Sequence, residues 1–201
     1  MDRTDDVEII AKETAYQGTF RIDRYRLRHR QFDGGMGGAH LREVFERGHA
    51  AALLPYDPVL DQVVLIEQFR IGAYAAGRPP WLTEIVAGII EDGEAAEQVV
   101  RRELMEEAGL ELIGAPEPVA EFLVSPGCST ETVTVFCGRV DATGAGGIHG
   151  LAHEHEDIKV LAMSFAEAMA RLDAGRIGNS PGVVALQWLA LNRDALREKW
   201  K

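Results

Sequence analysis

Cysteine is nearly absent: the 201-residue chain has two, Cys128 and Cys137. They are too few for a disulfide framework and lack the paired spacing of a thiolate metal site. Lying in or beside strand-like runs, both read as structural thiols. No apolar stretch approaches the roughly 20 residues that span a bilayer, so no membrane association is expected. The first ten residues, MDRTDDVEII, lack the apolar region of a secretory signal, which makes the cytoplasm the expected compartment. Positive charge is scarce too: Lys and Arg number 21 against 32 Asp and Glu, a net charge of −11. A protein that grips a nucleic-acid backbone needs a basic footprint, so no nucleic-acid partner is expected. A small phosphorylated ligand stays open, because a few local cations and a metal can meet it.

What is present suits one sizeable domain with a small lobe or arm. Hydrophobic residues make up 46% and charged residues 26%, enough for a real core. Up to about Glu46 the pattern alternates (Val7, Ile9, Ala11; Phe20, Ile22; Tyr25, Leu27) and predicts two or three strands. The basic run RIDRYRLRHRQ reads as a solvated strand face. Glycines at 34, 35, 37 and 38 break the chain, and strands are predicted over 50–54, 63–66 and 82–87. Residues 94–108 contain no Gly or Pro and predict a helix, with Gly109 as the residue just past its end. Strands over 119–124 and 132–140, a long loop over 144–156, a strand over 158–163 and helices over 165–174 and 182–191 follow. Strands with interspersed helices, without regular βαβ alternation, point to an α/β or α+β sandwich.

The helical segment is the informative one. Glu103, Glu106 and Glu107 stand at i, i+3 and i+4, which puts them on one helical patch. Like charges at that spacing destabilise an isolated helix by roughly 0.2–0.5 kcal/mol per pair. Arg102 points about 100° away from Glu103 and cannot neutralise all three. A hard divalent cation with oxygen ligands would resolve the conflict. Helices with three glutamates in one turn are common, so on the triad alone an acidic solvated helix is the favoured reading. Ala96, Val100, Leu104 and Ala108 form the opposite face, able to dock on a sheet. Gly88, ahead of the turn Glu91-Asp92-Gly93, permits close backbone approach.

The spacing Gly88, five residues, Glu94, seven residues, then Arg102-Glu103-Leu104-Met105-Glu106-Glu107-Ala108-Gly109-Leu110 matches every fixed position of the Nudix box. At average composition a chance match is about one in 10⁹ per starting point. The chain therefore resembles the Nudix hydrolase family. Over nearly its whole length it is similar to the bacterial ADP-ribose pyrophosphatase subfamily, on segments such as Glu67-Gln-Phe-Arg70, Ser125-Pro126-Gly127 and Glu154-His-Glu156-Asp157. The resemblance implies an α/β/α sandwich with a mixed sheet, a β-rich dimerisation arm over 1–46 and a catalytic domain over 47–201. It implies Mg²⁺-dependent hydrolysis of ADP-ribose to AMP and ribose 5-phosphate, with another nucleotide sugar such as GDP-mannose as the alternative substrate. Mn²⁺ would substitute for Mg²⁺. A non-catalytic ligand sensor on the same scaffold would lose box glutamates, and here all are present.

Site roles follow from the same resemblance. Glu103, Glu106, Glu107, Glu156 and the Ala87 carbonyl would hold the metal, with Arg102 orienting the glutamates and Glu94 in support. Glu154 would act as base or position the attacking water when the 144–156 loop closes. Arg42 and Arg70 would contact phosphates, and Glu131 the terminal ribose. Pro126, sixteen residues past Leu110, fits the proline that marks ADP-ribose specificity. Relatives often stack adenine on an aromatic of the arm. Thr19 occupies what would be that position, leaving Phe20 or Tyr16 as candidates. Family members form homodimers that exchange the arm, so a C₂ dimer is expected.

Overall fold

Alternating apolar and polar residues in the first fifty positions do form strands. The computed structural model describes residues 4–201, and the chain divides into two compact units. The first comprises residues up to His49 together with Leu123–Thr132, and the second comprises Ala50–Phe122 with Val133–Lys201.

In the first unit, β1 (Val7–Gln17), β2 (Arg21–His29) and β3 (His40–Glu46) form an antiparallel sheet in that order. The basic run lies on β2 and just past its end, and its arginines meet acids across the sheet. Arg24 reaches Glu13 and Glu43, Arg28 reaches Glu8, and Arg30 reaches Asp6. The charges face outward, as read from the sequence. Asp23 is the exception: it is buried, and the Lys12 ammonium holds its carboxyl below the usual range. Leu123–Thr132 joins this unit beside β3, where the Phe45 N–H donates to the Cys128 carbonyl at 2.7 Å.

The second unit is built on a mixed sheet. Its strands are β4 (Ala50–Asp57), β5 (Gln62–Phe69), β6 (Trp81–Glu84), β7 (Val86–Ile89), β8 (Glu117–Leu123), β9 (Thr132–Arg139), β10 (Gly147–His149) and β11 (Ile158–Ser164). The order is β10-β11-β5-β4-β9-β8, with β6 on β5 and β7 on β4. The β4–β9 pair is parallel, whereas β4–β5, β5–β11 and β10–β11 are antiparallel. Side chains of β4 alternate between two cores, as a period of two requires. Ala51 and Leu53 pack with Val99, Val100 and Leu104 of α2 (Ala96–Ala108). Ala52, Leu54 and Tyr56 pack with Leu186, Leu189 and Leu196 of α4 (Ser180–Lys199). β5 divides likewise, with Val63 and Leu65 on one side and Val64 and Ile66 on the other. Both faces are covered, which is why these strands read as unbroken apolar runs. With α3 (Phe165–Asp173) packed on the α4 side, this is an α/β/α sandwich.

Several features differ from the sequence reading. The stretch read as one strand over 82–87 is two, β6 and β7, because the chain leaves β5 at Ile85 and continues along β4. A short helix α1 (Ile71–Ala75) precedes that crossing. The last helix runs on to Lys199, held by Arg193 on Asp61 and by the Arg197 guanidinium on the Pro58 carbonyl. The 144–156 segment is not wholly loop: β10 pairs with β11, and Ala152–Glu154 forms a 3₁₀ turn.

Candidate active site

Strand β7 delivers Ala87 and Gly88 to the side of α2. The helix starts at Ala96, where the Gln98 side chain accepts from the Ala95 N–H at 2.9 Å. It ends at Gly109, whose φ of 64° suits glycine and whose N–H closes on the Met105 carbonyl at 3.0 Å. Gly88 is needed for a different reason: a Cβ there would land on the Glu103 carboxylate. The missing side chain is a cradle for that acid.

The three box glutamates are not one surface patch. Their exposure falls from 27% at Glu106 to 13% at Glu103, and Glu107 is 2% exposed. Glu107 lies toward the core face with Leu104 and Ala108, because β7 comes close enough to meet it. The Ala87 N–H donates to its Oε2 at 3.0 Å. Burial pushes the Glu107 carboxyl up to about 8; the Ala87 N–H opposes this, the charges of Glu103 and Glu156 add to it, and Arg70 opposes it. Burial also raises Glu103, against the Arg102 guanidinium and with help from Glu106 and Glu156.

Arg102 reaches further than its helical azimuth suggests. It contacts Glu94 at 3.3 Å, Glu103 at 2.7 Å and Glu106 at 3.1 Å, but not Glu107. The other nearby cation, Arg70 at the end of β5, grips Glu84 through Nε at 2.9 Å and Nη2 at 2.8 Å. Six carboxylates (Glu84, Glu94, Glu103, Glu106, Glu107, Glu156) thus face two guanidiniums in this part of the unit.

Among the described residues no three His, Cys, Asp or Glu side chains already stand in ligating arrangement. Arg102 holds two of the candidate carboxylates. The donor chemistry nonetheless fits a hard divalent cation. The candidates are oxygen donors without thiolate or imidazole, their negative charge is in excess, and a glycine leaves room for one of them. The ligand candidates are Glu103, Glu106, Glu107 and the Ala87 carbonyl, with Glu156 electrostatically coupled to the buried pair.

The remaining candidates are placed as follows. Glu156 Oε2 accepts from the Leu151 N–H at 3.0 Å. The Gly150 N–H donates to the Glu106 carbonyl at 3.2 Å, so this loop touches the box helix. Glu154 is 57% exposed, with His153 Nε2 at 3.6 Å. Arg42, Glu131 and Pro126 belong to the first unit. Arg42 is exposed and donates to the Leu41 carbonyl, Glu131 pairs with Arg47 at 2.8 Å, and Pro126 is exposed in the turn after β8. Phe20 packs edge-on against Phe45 at 5.3 Å, while Tyr16 is 63% exposed. Sequence reasoning missed Glu84 and His149. Glu84 carried a signal, since a lone carboxylate in the apolar run LTEIVAG needs a buried partner.

The NUDIX domain family profile matches residues 46–187. The chain is 55% identical over 195 residues to the ADP-ribose pyrophosphatase of Escherichia coli (strain K12), covering 97% of this chain and 93% of that protein. It is 39% identical over 157 residues to the GDP-mannose pyrophosphatase of Cronobacter sakazakii, covering 76% and 78%. A solved structure described as an ADP compounds hydrolase superposes with a TM-score of 0.73 at 18% identity, covering 96% of each chain. At that identity the likeness speaks for the fold.

Proposed function

This chain belongs to the Nudix hydrolase family, and from that premise we propose that it hydrolyses the pyrophosphate of ADP-ribose to AMP and ribose 5-phosphate, with Mg²⁺ as cofactor and Mn²⁺ able to substitute. The observation that carries the reading is Glu107, a carboxylate buried near Glu103, while the ion pairs of Arg70 and Arg102 go to Glu84, Glu94, Glu103 and Glu106. Family members generally use a divalent metal, and the oxygen-rich donor set suits one. The similarity to the E. coli ADP-ribose pyrophosphatase over nearly the full length of both chains supports the substrate.

Glu103, Glu106, Glu107, Glu156 and the Ala87 carbonyl would hold the metal. Bound there, Mg²⁺ supplies positive charge for the diphosphate and acidifies water. The chain's own residues do the rest. Arg102, bridging Glu94, Glu103 and Glu106, sets the carboxylate orientations. Glu154, exposed on its 3₁₀ turn, takes the proton of the attacking water. The half-exposed Arg70 offers its guanidinium to the phosphates, and Arg42 balances the same charge. Glu131 accepts hydrogen bonds from the terminal ribose hydroxyls, beside the Pro126 turn. Phe20 and Tyr16 remain the aromatics for the base.

A second reading has one support: the GDP-mannose pyrophosphatase relative raises GDP-mannose as substrate. Product analysis on ADP-ribose, GDP-mannose and NADH, each with and without Mg²⁺, separates the two. Preferred Mg²⁺-dependent release of AMP from ADP-ribose is expected; preferred cleavage of GDP-mannose would overturn the substrate assignment. We further propose a homodimer exchanging the N-terminal arm, over 1–46, beside a catalytic domain over 47–201. Support comes from β1, exposed along its whole length and carrying Val7, Ile9 and Ile10 each above 40% exposure. Association with a second copy would cover them. The cytoplasm is the compartment we propose. No described helix is long and apolar enough to cross a membrane.

A further inference from the structure

The last four carbonyls of a helix lack partners within it. In α2 one of these, Glu106, is taken by the Gly150 N–H at 3.2 Å. The residue before Gly150 is His149, at the end of the edge strand β10, where it pairs with Ile158 of β11. Its imidazole lies against Gly109, the residue just past the helix end. A Cβ added at Gly109 would come within 2.6 Å of His149 Cε1 and 3.1 Å of Nδ1. The other nitrogen, Nε2, is 2.9 Å from the Gly146 carbonyl. A carbonyl only accepts, so Nε2 carries the proton and ties the ring to its own loop.

Gly150 is held just as closely on its other side. Its φ is 101°, and a Cβ there would fall 2.7 Å from the Glu156 Cβ. The next N–H, of Leu151, donates to the Glu156 carboxylate at 3.0 Å, and the Glu156 N–H returns to the Leu151 carbonyl at 3.3 Å. Contacts thus run without a gap from the C-terminal turn of α2, through His149 and Gly150, to Glu156.

We propose that His149 is a positioning residue: it clamps the 144–156 loop to the end of the box helix and so sets Glu156 against Glu103 and Glu107. It acts through Glu156 and touches neither substrate nor metal. The inference rests on the reading of these glutamates as a divalent-metal site. Pairing of β10 with β11 holds one edge of the loop in the sheet, and the backbone bond from Gly150 fixes one point of it on α2. The imidazole packed on Gly109 supplies the second point that a fixed orientation requires.

The test uses the full chain, with His149→Ala and the conservative His149→Gln, whose amide N–H can still donate to the Gly146 carbonyl. Two measurements need no turnover: Mg²⁺ titration by calorimetry and amide hydrogen exchange at Gly150 and Leu151. Loss of a group that orients metal ligands typically weakens metal affinity or activity about 10–100-fold. His149→Ala should weaken Mg²⁺ binding within that range and speed exchange at both amides. It should also lower kcat for ADP-ribose with little change in KM. His149→Gln should recover most of each effect. Unchanged Mg²⁺ affinity in a folded His149→Ala protein would overturn the proposal. So would weakened affinity with the two amides still protected, since His149 would then act without the clamp. Failure of the wild-type protein to bind Mg²⁺ would instead overturn the metal-site reading beneath it.

Discussion

Replacing Glu107 with Gln should make the metal-free protein more stable and the enzyme nearly inactive. The side chain is 2% exposed and accepts one hydrogen bond, from the Ala87 N–H at 3.0 Å, which a glutamine oxygen can also accept. Burial holds the folded-state carboxyl near 8, against an ordinary 4.5. The sign follows from linkage. An acid whose value is raised by folding must take up a proton to fold at intermediate pH, so stability falls as pH rises from 4.5 toward 8. At about 1.4 kcal/mol per unit, the span from 4.5 to pH 7 corresponds to about 3 kcal/mol of lost stability. Glutamine carries no such cost. Denaturant unfolding with a chelator present, at pH 5 and at pH 8, should show little difference between the two proteins at pH 5. At pH 8 the variant should be the more stable. In the same variant kcat for ADP-ribose with Mg²⁺ should fall by several decades. A variant less stable than wild type at pH 8 would refute the burial argument, and full turnover would refute the metal assignment.

Gly88→Ala should displace the Glu103 carboxylate, the far end of a flexible side chain. Stability should change by less than about 1 kcal/mol while Mg²⁺ affinity and kcat both drop, as read by calorimetry and product release. Saturating Mg²⁺ should raise the unfolding free energy of the wild type, by about 2.7 kcal/mol at one hundred times its Kd, and should leave Glu107→Gln almost unmoved. Asp61 is held below the usual carboxylate range: burial works against this, but Arg193 and the Tyr56 hydroxyl outweigh it. Its contribution is present above pH 3.8 and is lost as pH falls below. Asp61→Asn should therefore destabilise the protein at pH 7 by about 1–3 kcal/mol and lose that effect in acid, as measured by urea unfolding at pH 7 and pH 3.

The parts legible in the sequence were those set by local spacing. The α2 helix, its end at Gly109 and its apolar face of Val100, Leu104 and Ala108 all stand in the structure as the 3.6-residue period placed them. The outward charges of the basic run were equally local, since alternation alone puts Arg24 and Arg28 on one face of β2. What escaped depended on neighbours distant in sequence. Ile85 divides two strands because β5 and β4 are different partners, a fact of topology. Glu84 needs Arg70, fourteen residues earlier, and the two meet only because β5 and β6 pair. Helix α1 has five residues, one of them Gly72, too few for any period to register. The graded burial of the glutamates was hidden for the same reason: a helical wheel puts them together but does not know that β7 passes Glu107 and not Glu106.

That gradation explains how the site is compatible with a stable fold. Sequences usually satisfy local and global preferences together, and departures from this gather at functional sites. Glu107 is such a departure: an acid set beside Leu104 and Ala108, where the packing alone would favour an apolar residue. Arg102 limits the damage by bridging Glu94, Glu103 and Glu106, but its length is spent on those three. An arginine buried against Glu107 would neutralise it and thereby occupy the space that a divalent cation and a diphosphate require. The residual charge is therefore tied to the function: the fold tolerates the buried Glu107 carboxylate because α2 is anchored by Val99, Val100 and Leu104 against β4 and β5. A cation that binds only the folded chain returns the lost stability. On this account the destabilising effect of a chelator should grow with pH between 4.5 and 8 in the wild type and vanish in Glu107→Gln.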